Sequence, residues 1–215
     1  MLNFIATPIG NLNDISLRAI DVIRTADYLY AEDTRNVKKL LDFINCKKKC
    51  KSFHEHNEDK VSLEIIKHAK DQKNISIVSD AGTPLLSDPG RLLLNKCIED
   101  GINIIPIPGA SAITSAMSVS GFSDQFLFYG FLPKTENELI KVLMPLSQNR
   151  YTQIFFAPSK KINFYIKIFK KFYSGRKIVI AKEITKLHEA FIRDEVDQIK
   201  IFKNPIKGEL TIVIS

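Results

Sequence analysis

The sequence predicts an α/β protein of two domains, a parallel-sheet domain over residues 1–120 and a mixed-sheet domain over residues 121–215. Three observations carry this. Over the first 120 residues, short apolar, β-branched runs alternate with segments of helical spacing, the pattern of parallel strands joined by crossover helices. Three of those runs stop at loops bearing Pro and Gly and a fourth at a charged one, which puts four loops on one carboxyl rim, where open α/β sheets bind ligands. After Ser120-Gly121-Phe122-Ser123-Asp124, a candidate linker, the pattern changes, and the chain closes on three strand-like runs in succession.

The first run, Leu2–Ala6, leads into Thr7-Pro8-Ile9-Gly10-Asn11. Asp14 or Ser16 can cap the helix that follows, whose apolar stripe is Leu17, Ile20 and Ile23 or Ile20, Ile23 and Ala26. Strand Tyr28–Ala31 ends in Glu32-Asp33-Thr34-Arg35, which suits either helix capping with a local ion pair or a functional cluster. Val37–Phe43 reads as a helix, and the run Lys47-Lys48-Lys49-Cys50-Lys51 as a solvated stretch. In His54-Glu55-His56-Asn57 the alternating histidines lack further ligands at metal-binding spacing, and Asn57 is the expected cap of a helix Lys60–Ala69.

The central stretch is Ile75–Gly90. A buried parallel strand delivers a loop in which Gly82 opens backbone conformations closed to other residues, Pro84 and Pro89 stiffen the path, and Asp80, Thr83, Ser87 and Asp88 supply polar groups. A loop that only turned would need far less, so this one is read as a binding loop. Leu92–Ile98 is a helix ended by Gly101, and strand Asn103–Ile107 runs into Pro108-Gly109-Ala110-Ser111-Ala112, whose small residues open a helix to Val119.

Beyond the linker come strand Phe126–Gly130, a helix Glu136–Leu146 and strand Gln153–Ala157, then a helix striped by Ile162, Tyr165, Ile166, Phe169 and Phe172. Strands Ile178–Lys182, His188–Arg193 and Glu209–Ile214 follow. The aromatic stripe is read as core rather than a base-stacking platform, and the opposite face, with Lys160, Lys161, Lys167, Lys170 and Lys171, can track phosphates. Residues 1–122 carry fifteen Lys/Arg against fifteen Asp/Glu and residues 123–215 sixteen against nine, so the whole formal +7 lies in the second half. That asymmetry fits an anionic macromolecule met by the second half, or a compositional bias toward Lys.

With 45% hydrophobic residues the chain can bury a full core, and no apolar run reaches the roughly 18 residues of a membrane span. Three cysteines, an odd number without zinc spacing, are expected as free thiols, and the expected location is the cytoplasm.

Several blocks together resemble one family. Thr-Pro-Ile-Gly-Asn-Leu at 7–12, Ala-Glu-Asp-Thr-Arg at 31–35, His-Glu-His-Asn-Glu at 54–58, Val-Ser-Asp-Ala-Gly-Thr-Pro-Leu-Leu-Ser-Asp-Pro-Gly at 78–90 and Pro-Gly-Ala-Ser-Ala at 108–112 match the RsmI family of ribosomal RNA small subunit methyltransferases, within the tetrapyrrole methylase superfamily. Phe-Leu-Pro at 131–133, Lys-Glu-Ile-Thr-Lys at 182–186 and Gly-Glu-Leu-Thr-Ile-Val at 208–213 extend the match over nearly the whole chain. The resemblance implies a two-domain tetrapyrrole methylase fold, a homodimer, S-adenosyl-L-methionine (SAM) as cofactor in the interdomain cleft, and 2′-O-methylation of a cytidine ribose in the decoding region of 16S rRNA, with no metal.

By motif, the cofactor loops would be Pro8, Gly10 and Asn11; Asp80, Ala81, Gly82, Thr83 and Pro84; and Pro108, Gly109, Ala110, Ser111 and Ala112, joined by Lys182–Thr185 with Glu183 and by Gly208–Thr211. Glu32, Asp33 and Asp80 are the leading candidates to activate the ribose hydroxyl, with Asp88 and His54 beside them, and Arg35, Lys160, Lys161 and Lys167 the candidates for RNA. Three features depart from the family: Lys134 is followed by Thr135-Glu136-Asn137-Glu138 instead of a basic segment, Ala157-Pro158-Ser159-Lys160-Lys161-Ile162 replaces a Tyr-Glu-Ser-x-His-Arg block, and Ser215 ends the sequence where many relatives run on into a helical domain. The competing readings are a methyltransferase for a tetrapyrrole or diphthine-type substrate and a SAM-binding RNA-binding protein without turnover.

Overall fold

The computed structural model describes residues 1–204 and 206–215, in two compact units, Met1–Ser111 and Ala112–Ser215. In the first unit β1 (Leu2–Ile5), α1 (Leu17–Thr25), β2 (Tyr28–Ala31), α2 (Thr34–Phe43), β3 (Cys50–Ser52), α3 (Glu58–Lys70), β4 (Ile75–Val78), α4 (Arg91–Glu99) and β5 (Ile104–Ile107) alternate, all but β3 as expected. The sheet is wholly parallel in the order β3-β2-β4-β1-β5. Strand alternation splits the core over its two faces. Ile5, Leu29, Ala31 and Val78 meet Ala19, Ile23, Val37, Leu40 and Leu41 from α1 and α2, while Leu2, Phe4, Tyr30, Ile75 and Ile77 meet Ile65, Ile66, Leu93 and Cys97 from α3 and α4.

That order has a consequence for binding. β1 and β4 are neighbours, yet the chain leaves β1 toward β2 and leaves β4 toward β5, on opposite sides. Such a reversal is the topological switch point, where a crevice opens beyond the strand ends. The loops at that point are those after Ile5 and after Val78.

In the second unit α5 (Ala112–Ser118), β6 (Phe126–Phe131), α6 (Glu136–Ser147), β7 (Thr152–Pro158), α7 (Ile162–Phe172), β8 (Lys177–Lys182), β9 (Ala190–Glu195) and β10 (Glu209–Ile214) form a mixed sheet of order β6-β7-β10-β8-β9. Only β6 and β7 run parallel, with a bulge between Phe128 and Gly130. The α7 stripe is core: Ile162, Tyr165, Ile166 and Phe169 are buried against Phe155, Ile180 and Ile212, each such side chain stabilising the fold by about 1.5–3 kcal/mol. Helix α5 packs against β10.

Some local expectations are corrected. Ser16, not Asp14, caps α1 by accepting from the Ala19 amide at 3.1 Å, and Leu17 is 82% exposed because Ala19 and Ile23 take the core face instead. Asn57 stands at the start of α3 but does not cap it; its carboxamide is drawn back to the His54 amide (2.8 Å) and the Ser52 carbonyl (3.1 Å). Part of the lysine run is an edge strand, β3, in which Lys51 lies 2.5 Å from Glu64, and Lys48 donates to the Ala26 carbonyl. A three-residue strand with one partner is too short to leave a periodic signal.

Candidate functional site

At the switch point the loops after β1 and β4 are stitched together. The Thr7 amide donates to the Gly82 carbonyl (2.9 Å) and the Gly82 amide to the Thr7 carbonyl (3.0 Å), an antiparallel bridge between loops whose strands run parallel. The Thr7 hydroxyl donates to the Ser79 carbonyl (3.0 Å), and the Ser79 hydroxyl to the Gly82 carbonyl (2.6 Å). Gly82 sits at φ +84°, and a Cβ there would meet Ile9 Cγ2 at 3.3 Å. The loop after β5 joins them by close approach, since a Cβ on Gly109 would lie 3.1 Å from that of Ala6.

The loop after β2 is tied in by Asp80. Its carboxylate accepts from the Asp33 amide (2.9 Å) and from Asn36 Nδ2 (3.1 Å), so it locks the β2 and β4 loops together. Asp33 caps α2, accepting from the Arg35 amide (2.9 Å), and pairs with the Arg35 guanidinium (2.6 Å), which holds its carboxyl down at about 2. The capping reading of this cluster therefore describes what Asp33 and Arg35 do in the structure. Sequence reasoning gave no role to Asn36, which follows the quoted block at 31–35, or to Ser79, which lies inside the block at 78–90.

Two buried polar atoms on this rim have no hydrogen-bond partner among the described residues: Asp88 Oδ2 and His54 Nδ1. Burial, then the charges of Glu32 and Asp80, push the Asp88 carboxyl up to about 7. Burial and Asp80 also raise Glu32, against the opposing influence of His54. Gly10 is exposed and Asn11 opens a single 3-10 turn, its side chain accepting from the Asn13 amide at 3.1 Å. Pro8, Asp80–Pro84 and Pro108–Ser111 thus gather at one edge of the first unit, whereas Ala112 begins α5 of the second.

Within the second unit Glu183 and Gly208 are in direct contact. Glu183 (φ +50°) and Thr185 (φ +66°) occupy a left-handed region that such residues rarely adopt. The turn is held by the Glu209 amide on Glu183 Oε1 (2.9 Å), by Lys186 bridging Glu183 (3.1 Å) and Glu209 (2.7 Å), and by the Thr185 amide on Glu189 (2.7 Å). The Glu209 amide and the Lys186 ammonium keep the Glu183 carboxyl below its ordinary range. Gly208, at φ +97°, has no room for a Cβ, which would run into the Glu183 carboxyl. Gly208→Ala should therefore displace Glu183 and lower stability by about 1–3 kcal/mol in a denaturant titration; an unchanged midpoint would show that the turn tolerates the side chain.

The lysine face of α7 is largely committed. Lys161 donates to the Lys134 carbonyl (2.6 Å), Lys170 to the Asp197 carbonyl (3.0 Å), and Lys171 pairs with Glu136 (3.1 Å). Lys160 and Lys167 are exposed and have no side-chain partner among the described residues. No group of three His, Cys, Asp or Glu side chains able to hold a metal ion occurs among the described residues, and no described helix is long and apolar enough to cross a membrane.

Residues 1–200 match the model of the family described as Tetrapyrrole (Corrin/Porphyrin) Methylases. The chain belongs to this family. It is 40% identical to the Ribosomal RNA small subunit methyltransferase I of Thermotoga maritima, over 100% of this chain and 97% of that protein. Among solved structures it is similar to a diphthine synthase (TM-score 0.72, 16% identity, 100% of this chain and 89% of the other). It is also similar to the uroporphyrin-III C-methyltransferase of Thermus thermophilus complexed with S-adenyl homocysteine (TM-score 0.65, 12% identity, 99% and 96%). The tetrapyrrole methylase fold with a parallel and a mixed sheet, expected from the resemblance, is the fold of this chain.

Proposed function

We infer that this tetrapyrrole methylase is a SAM-dependent RNA methyltransferase that modifies the 2′-hydroxyl of a cytidine in the decoding region of 16S rRNA, acting in the cytoplasm as a homodimer. The observation that carries the reading is full-length similarity to a small-subunit rRNA methyltransferase combined with the stitched rim at the switch point. The rim fits the cofactor: Gly82, at φ +84° against Ile9, and Gly109, against Ala6, stand at close approaches that draw three loops of the first unit to one edge. Pro8–Asn11, Asp80–Pro84 and Pro108–Ser111 would hold it.

Bound SAM supplies a methyl group already activated on a sulfonium. The chain's own part is placement and proton handling. Placement of two reactants in line contributes about 7–11 kcal/mol. For the proton, Asp33 and Asp80 are spent on capping and on locking loops, whereas Asp88 keeps a buried oxygen without a partner and a carboxyl that titrates near neutrality. Asp88 is thus the rim group best suited to accept the 2′-hydroxyl proton, a step worth about 10²–10⁴-fold in rate.

The test is to incubate the protein with methyl-labelled SAM and, separately, 30S particles, naked 16S rRNA, a tetrapyrrole and a peptide acceptor. Label is expected in rRNA, at a linkage resistant to alkaline cleavage because its 2′-oxygen is blocked. Label in the tetrapyrrole or peptide would move the chain to another branch of the family. SAM binding without transfer to any acceptor would favour an RNA-binding protein without turnover.

A further inference from the structure

A cleft of about 280 Å³ opens in the second unit between the start of α7 and the segment before β10, lined by Ser159, Lys160, Asn163, Phe202, Lys203 and Asn204 among others, with no acidic side chain among the described residues of its lining. Lys203 is exposed and, like Lys160, has no side-chain partner among the described residues. This contrasts with the neighbouring cations Lys161, Lys170 and Lys171, which are spent on carbonyls or on Glu136. Asn163 fixes the far wall. Its Nδ2 donates to the Phe202 carbonyl and its Oδ1 accepts from the Phe202 amide, both at 2.9 Å, so its carboxamide mimics a strand neighbour and holds the backbone that carries Lys203.

We propose that this cleft seats the sugar-phosphate backbone of the RNA substrate, with Lys160 and Lys203 as the paired phosphate contacts. The inference rests on the RNA reading above and names the surface that grips the RNA. Two cations from segments remote in sequence, brought to one acid-free cleft and left without intramolecular partners, can neutralise phosphates without first breaking an ion pair. The pinned wall reduces the ordering cost of doing so. Hydroxyl and carboxamide groups of Ser159 and Asn204 add hydrogen-bonding capacity that carries no base preference, as backbone contacts require.

The experiment compares the full chain with Lys160→Ala/Lys203→Ala and with Lys161→Ala/Lys171→Ala, an equal loss of charge from partnered side chains. Affinity for 30S particles and for naked 16S rRNA is measured across a salt series, and thermal melting confirms that each variant folds. The first double variant should flatten the slope of log K against log salt by between about one and two units, and the second should leave it at the wild-type value. Equal flattening by both doubles, or none by the first, overturns the cleft. Methyl transfer to 30S particles is scored on the same wild-type preparation. A wild type that transfers no methyl counts against the functional reading, whereas the slopes judge the cleft independently.

Discussion

Gly82→Val should abolish most SAM affinity, by on the order of 10–100-fold, while the chain still unfolds in one cooperative step. Two effects act together. Valine at φ +84° costs about 1–2 kcal/mol in backbone strain, and its Cβ would press on Ile9 at 3.3 Å. Because the Gly82 amide and carbonyl both pair with Thr7, relief of that pressure must come from moving the two loops apart. A tenfold loss corresponds to only about 1.4 kcal/mol, so a displacement of either loop that breaks one cofactor contact suffices. Gly82→Ala should fall between wild type and valine. Calorimetric titration with SAM, alongside urea unfolding, checks this, and unchanged affinity in Gly82→Val would remove the loop after β4 from the cofactor site.

For Asp88→Asn the expected result has two opposite parts: turnover falls by about 10²–10⁴-fold, yet the protein becomes more stable at pH 8. The Asp88 carboxyl is raised from 3.8 to about 7 by burial and by Glu32 and Asp80, so between those values the folded chain holds a proton that the unfolded chain has lost. Stability contributed by this group is complete below pH 3.8 and is lost as pH rises through about 7. The linked free energy is about 4 kcal/mol for full burial, and partial exposure of the side chain reduces it to about 1–3 kcal/mol. Asparagine removes the penalty, so the variant should melt roughly 2–10 °C above wild type at pH 8, the gap closing toward pH 4. Wild-type kcat/KM should in turn rise with pH and level off above about 7, with the SAM Kd of the variant unchanged. If Asp88→Asn keeps full turnover, the proton acceptor is another group, Glu32 or His54; if it melts below wild type at pH 8, the carboxyl is not held neutral.

Much of this site was legible without coordinates, because local chemistry leaves local signals. The loops after β1, β4 and β5 were visible as Pro and Gly placed directly after β-branched runs, since such loops need special backbone conformations and close approach. The roles within them were not visible. Glu32, Asp33, Asp80 and Asp88 are four carboxylates whose partners a sequence does not display, and the ranking that put Asp88 behind the other three changes once those partners are known. Asp80 receives the Asp33 amide from 47 residues away, Asp33 turns to its own helix, and Asp88 is left with an orphaned oxygen.

The sequence by itself determined the alternation of elements, the aromatic stripe of α7 as core, and the rim of loops, since hydrophobic period and turn chemistry are properties of a few consecutive residues. Only the tertiary structure decided the strand order that sets β1 beside β4, the edge strand at Cys50–Ser52, the exposure of Leu17, and the partners of the lysines, where Lys161, Lys170 and Lys171 are spent while Lys160 and Lys203 line one cleft. Each of these depends on groups far apart in the chain competing for the same hydrogen bond or the same buried surface. The winner of that competition is set by three-dimensional proximity, which no local pattern encodes.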